Sequence, residues 1–276
     1  MDIIDQRLPA AGLDLRVRSA GQGPVVLLLH GFPDAGPLWD GMLPGLIAAG
    51  YRVVVPDQRG FGESAAPADV ASYRIEHIVA DHLAVLDQLC PGEPVRVLGH
   101  DWGAVIAWCL ALSQPQRVRA LVALSVGHPR AYATAGFEQK RKGLYTLAFQ
   151  FRGLAEAWLS RNDFAGLRGW ASEHPGMADS VAWMSRPGRL TAGLNWYRAN
   201  LLRVLFGAWP PCTVPTLGVW STGDRYLSED QMTNSARYMQ APWRYERIEG
   251  AGHWLPLAEP ARTTTLALDW FCQHGT

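Results

Sequence analysis

The chain has 276 residues, 48% of them hydrophobic and 18% charged, with 25 basic side chains balancing 25 acidic ones. That length can bury a sizeable core as one large α/β domain, and the zero formal net charge gives no pull toward nucleic acid or anionic lipid, so neither is expected as a partner. No apolar run reaches the length of a membrane span, MDIIDQRLPAAGLDL lacks the regions of a signal peptide, and the dispersed Cys90, Cys109, Cys212 and Cys272 read as buried free thiols, which together suit a cytoplasmic protein.

Seven apolar, β-rich runs recur along the chain, at 13–20, 25–30, 51–57, 95–101, 118–126, 216–224 and 243–250. VVLLLH (25–30) and YRVVVPD (51–57) are almost unbroken in hydrophobicity, as strands covered on both faces must be. Between the runs lie IEHIVADHLAVLDQL (75–89) and AVIAWCLALSQ (104–114), whose apolar residues return every three or four positions and so predict helices. Strand and helix in alternation predict an α/β fold with a mainly parallel central sheet.

The alternation stops near residue 128 and resumes near 212. The stretch between reads as short helices broken at Gly153, Pro175, Gly176, Pro187 and Gly188, and four of the twelve tryptophans, Trp158, Trp170, Trp183 and Trp196, crowd into it. The expected organisation is a core of residues 1–127 and 212–276, with residues 128–211 inserted as a helical lid over the carboxyl ends of the strands.

Gly99-His100-Asp101-Trp102-Gly103 falls where a strand ends and a helix begins, the setting of a nucleophile elbow. Glycines at 99 and 103 suit a turn that brings backbone segments close, and the helix start aims positive charge at residue 101. An aspartate there would also serve as an N-cap. Asp224 in WSTGDRYL could be an Asx-turn residue, and His253 in GAGHWLP a loop histidine. Their joint arrival in the order nucleophile, acid, histidine favours a triad of Asp101, Asp224 and His253. His30-Gly31-Phe32-Pro33 after the second run supplies the remaining part, an oxyanion hole from the amides of Phe32 and Trp102. Asp57, Arg59 and Glu63 in PDQRGFGES read as structural, His100 as packing beneath the elbow, and His128 as a hinge or pocket residue. No spacing of His, Cys, Asp and Glu suits a metal.

With HGFP (30–33), PDQRGFGES (56–64), GHDWGA (99–104), GDRYL (223–227) and GAGHW (250–254), the whole chain resembles the α/β-hydrolase superfamily and, more narrowly, its epoxide hydrolase branch. Tyr145-Thr-Leu-Ala-Phe-Gln150 and Asn195-Trp196-Tyr197-Arg198 match the contexts of the branch's two lid tyrosines. The resemblance implies a cofactor-independent hydrolase without a metal, acting on a small apolar or aryl epoxide and water, as a monomer or a homodimer. Tyr145 and Tyr197 would donate to the epoxide oxygen, while Phe32, Trp102 and Trp196 would contact the substrate.

Carboxylate chemistry explains the aspartate. A serine that attacked a saturated carbon would form an ether and be spent, whereas Asp101 would form an ester that water can cleave. His253, supported by Asp224, would activate that water. Haloalkane and haloacid dehalogenases share the aspartate and are the alternative, although Phe32 stands where one group has an asparagine, and Trp102 where fluoroacetate enzymes have an arginine. A non-catalytic ligand receptor on this scaffold ranks last, because it needs none of the four parts.

Overall fold

A computed structural model describes residues 2–275. Its strands are β1 (Ile4–Ala10), β2 (Leu13–Ala20), β3 (Val25–Leu29), β4 (Arg52–Pro56), β5 (Val95–His100), β6 (Val118–Leu124), β7 (Thr216–Ser221) and β8 (Trp243–Ile248). They form one eight-stranded sheet in the order β1-β2-β4-β3-β5-β6-β7-β8. β1 pairs antiparallel with β2 and β2 antiparallel with β4, and every later pairing is parallel. All residues of β3, β5 and β7 are buried, which is why these strands lack the alternation of a half-exposed strand. Each fully buried Val or Leu contributes about 1.5–3 kcal/mol of transfer free energy to that core.

Helices α1 (Leu43–Ala48), α2 (Ile75–Leu89) and α3 (Trp102–Ser113) follow β3, β4 and β5 in turn. Between β6 and β7 come α4 (Pro129–Ala133), α5 (Phe137–Lys142), α6 (Tyr145–Ala148), α7 (Leu154–Trp170), α8 (Met177–Met184) and α9 (Arg189–Phe206), and the chain closes with α10 (Glu229–Thr233), α11 (Leu255–Ala258) and α12 (Pro260–Gln273). α7 is broken within, since residues 161–164 leave helical geometry. The chain thus has a mainly parallel α/β sheet with a helical insertion.

The two ends of the insertion meet. His128 caps α4 by accepting from the Arg130 amide through Nδ1, and its Nε2 donates over 3.0 Å to the Pro210 carbonyl. Burial pulls this imidazole down to about 4, so it stays neutral and keeps both bonds. Further along, Asn200 of α9 accepts from the Ile75 amide and donates to the Tyr73 carbonyl, fastening the insertion to the start of α2.

Cys90, Cys109 and Cys212 are buried as expected, but Cys272 is exposed; it lies in the last turn of α12, where only one helix face meets the sheet. Among the described residues no helix is long and apolar enough to cross a membrane.

Candidate active site

β5 passes into α3 through the single residue Asp101, at φ 53° and ψ −124°. Positive φ strains a residue that carries a Cβ. The turn is possible because a Cβ on Gly103 would strike the Leu29 carbonyl, and one on Gly99 the backbone of Gly103. The Asp101 carboxylate stands at the tip. Its Oδ1 accepts a 2.9 Å hydrogen bond from the Phe32 amide, which reaches it because Gly31 has no Cβ to collide with Asp101. The Trp102 amide opens α3 immediately beside it, at the positive end of the helix.

His253, beyond β8, donates from Nδ1 to Asp224 Oδ2 over 2.8 Å, and its Nε2 lies 3.6 Å from Asp101 Oδ2. The Tyr226 and Leu227 amides, each 2.9 Å from Asp224 Oδ1, fix the acid in place. Burial opposes a charged imidazole here, but the carboxylates of Asp224 and Asp101 outweigh it and push His253 up to about 10. At neutral pH the group is therefore an imidazolium between two carboxylates. Beneath it His100 donates from Nε2 to the His253 carbonyl over 2.9 Å, and Ser125 donates over 3.2 Å to the same oxygen. Burial lowers His100 to about 4, so that ring is neutral.

The insertion supplies the opposite wall. Tyr145 opens α6 and Tyr197 lies within α9; their ring centroids are 6.1 Å apart, and the Tyr197 ring meets the Trp102 ring edge-on at 5.1 Å. Both tyrosines and Asp101 line one cavity, with Val105, Val126, Pro129, Leu201, Val204 and Leu227 among its other walls. Burial first, then the charge of Asp101, lifts the Tyr197 phenol well above 10, and Tyr145 rises likewise by burial, with Tyr197 and Asp101 adding to it. Both phenols keep their protons across the physiological range.

Two expected substrate contacts lie elsewhere. Trp196 is fully buried, its indole donating to the Arg59 carbonyl over 3.1 Å and its ring packed on Phe61 and Trp102. Consecutive helical side chains diverge by about 100°, so the turn of α9 that presents Tyr197 to the cavity sends Trp196 behind it. The Phe32 ring is only 1% exposed, packed among Phe61, Phe149, Trp170 and Tyr197. Asp57 joins loops by accepting from the Gly36 and Glu63 amides, and Arg59 forms a buried pair with Asp81. Among the described residues no group of three or more His, Cys, Asp or Glu could hold a metal.

Sequence reasoning missed Asp34. Two residues after Phe32, its carboxylate meets His174 Nε2 at 2.7 Å, the Ser180 hydroxyl at 3.3 Å and the Trp254 indole at 3.1 Å. His174 Nδ1 accepts from the Gly176 amide, which leaves Nε2 as the donor. Burial alone would raise Asp34, yet His174 holds it below the usual carboxylate range. One buried carboxylate so joins the Phe32 loop, the His253 loop and the insertion. Asp34→Ala is expected to cost about 3–5 kcal/mol of unfolding free energy, because it strands buried donors. A urea denaturation curve with an unshifted midpoint would refute that.

A mainly parallel sheet of this order, with an acid at the β5–α3 turn and a histidine after β8, defines an α/β-hydrolase. Residues 24–167 match the family described as alpha/beta hydrolase fold, and the chain belongs to that family. It is 35% identical over 275 residues to the AB hydrolase superfamily protein YfhM of Bacillus subtilis, with 94% of each chain covered. It is likewise 35% identical over 305 residues to epoxide hydrolase A of Mycobacterium tuberculosis, again with 94% of each covered. Among solved structures, an epoxide hydrolase from Vigna radiata superposes with a TM-score of 0.85 at 28% identity, covering 98% of both chains. Within the family the chain stands on the epoxide hydrolase branch.

Proposed function

We propose that this protein adds water to an apolar or aryl epoxide, giving a vicinal diol through an ester on Asp101. The observation that carries the reading is the convergence of two protonated phenols and one carboxylate on a single apolar cavity. Displacing an alkoxide needs a proton or strong hydrogen bonds at the departing oxygen, and a phenol, ordinarily near pKa 10, can supply both at neutral pH. Asp101 attacks one ring carbon, the carbon–oxygen bond breaks, and Tyr145 and Tyr197 donate to the released oxygen.

In the second half, water attacks the ester carbonyl carbon and His253 takes its proton, with Asp224 supporting the imidazolium that forms. The amides of Phe32 and Trp102 hold the oxyanion until it collapses and the ester carbon–oxygen bond breaks. The departing alkoxide takes the proton from His253 to complete the diol, and the new carboxyl of Asp101 returns a proton to the phenoxide, restoring the site. The charge balance around His253 gives this order a physical basis. Esterification neutralises Asp101, removing one of the two carboxylates that keep the imidazole protonated, and so moves His253 toward the form that can act as a base.

The test is diol formation from styrene oxide, set against halide release from a bromoalkane, which would favour a dehalogenase. In the double variant Tyr145→Phe, Tyr197→Phe, alkylation is expected to slow by about 10²–10⁴-fold, the usual contribution of positioned acids, with ester hydrolysis far less affected. Single-turnover kinetics separate the two steps, and equal slowing of both would count against the phenols as acids.

A further inference from the structure

Resting on that reading, we propose that the reaction chamber has one arm only, that Trp170 stops its other end, and that the enzyme takes terminal epoxides and excludes trans-disubstituted ones. The arm leads from Asp101 past Val105, Val126, Pro129, Leu201, Val204 and Leu227, which remove an apolar substituent from water, with Trp102, Tyr132 and Thr146 completing its lining.

The other flank of the two phenols is filled by rings. Trp170 lies at its centre, with centroids 5.2 Å from Tyr145, 5.4 Å from Phe149, 5.6 Å from Phe32 and 5.0 Å from Tyr226. Phe149 in turn packs 5.3 Å from Tyr145 and 5.0 Å from Tyr197, and Tyr226 lies 5.0 Å from His253. Phe32 and Phe149 are at most 1% exposed and Trp170 is partly buried against them, so the cluster closes this flank on the chamber side. The Tyr226 hydroxyl donates over 2.7 Å to the Trp170 carbonyl, tying the stopper's backbone to the loop that carries Asp224.

The stereochemistry of an oxirane turns this packing into a selection rule. With its oxygen held by Tyr145 and Tyr197 and one carbon facing Asp101, a terminal epoxide carries its substituent on one carbon and needs room at one end of the carbon–carbon bond. A trans-disubstituted epoxide carries groups on both carbons, on opposite faces, and needs room at both ends. Protein interiors are packed like molecular crystals, so the second group must displace a ring or tilt the oxirane off the line of attack.

The experiment measures kcat/KM of the purified protein for styrene oxide and for trans-β-methylstyrene oxide. The trans compound is expected to fall below styrene oxide by about a hundredfold, the scale of loss that a misplacement near an ångström brings. Trp170→Ala is expected to narrow that ratio by about tenfold or more, while Trp170→Phe, which keeps a ring in place, holds it near the wild-type value. Because the wild-type ratio needs no variant, the proposal stays testable even if Trp170→Ala folds poorly. Wild-type turnover of both epoxides within a few-fold of each other overturns the single arm and leaves the epoxide reading standing. A folded Trp170→Ala variant with an unchanged ratio overturns the stopper, and no turnover of any epoxide overturns the epoxide reading together with this inference.

Discussion

Asp101→Asn is expected to end turnover, with kcat for diol formation falling by about 10⁴-fold or more, the scale of losing a nucleophile that acts as part of a unit. The substitution is nearly isosteric, and asparagine tolerates the positive φ that this turn imposes better than most residues. Its side-chain oxygen can still accept from the Phe32 amide, as Oδ1 of Asp101 does. What disappears is the negative charge that attacks carbon. Folding should therefore be retained, and a circular dichroism spectrum matching wild type would assign the lost activity to chemistry. Substantial diol formation by this variant would mean that some other group opens the ring.

His253→Gln should separate the two half-reactions. Asp101 and both phenols remain in place, so alkylation proceeds; no base is then left to activate water, and the ester persists. One equivalent of epoxide should be consumed in a burst with little diol released. The peptide containing residue 101 should gain the mass of one epoxide molecule. Continued diol release with an unmodified peptide would show that His253 is not the base and would return Asp224 to the merely local role of holding the Tyr226 and Leu227 amides.

The fold was legible wherever one residue type repeats for a local reason. The run at 13–20 is β2 and the helix at 75–89 is α2, residue for residue, because hydrophobic periodicity acts within a few residues. β1 escaped notice: IDQRLPA is largely exposed at the sheet edge and contains Pro9, so its identity as a strand comes from pairing with β2 and not from its own pattern. The elbow and the two loops carrying Asp224 and His253 were readable because strained turns need glycine and strand ends collect functional groups. Asp34 and His174 stand far apart in the chain and belong to no shared pattern, so only the folded molecule joins them. The direction of Trp196 depended on the rotation of α9 by a single residue, and the shape of the cavity on the packing of many rings at once; neither is a property of any short stretch.

The hydrogen bond between His128 and the Pro210 carbonyl has a consequence for the layout of the chain. It brings the first and last residues of a long excursion to one doorway, so the intervening chain forms a cassette whose path leaves the sheet and returns to nearly the same spot. Because both ends sit at one spot, a change in the cassette's length redirects no strand. Asp101 belongs to the sheet frame, whereas Tyr145 and Tyr197, the acids of the proposed mechanism, belong to the inserted piece.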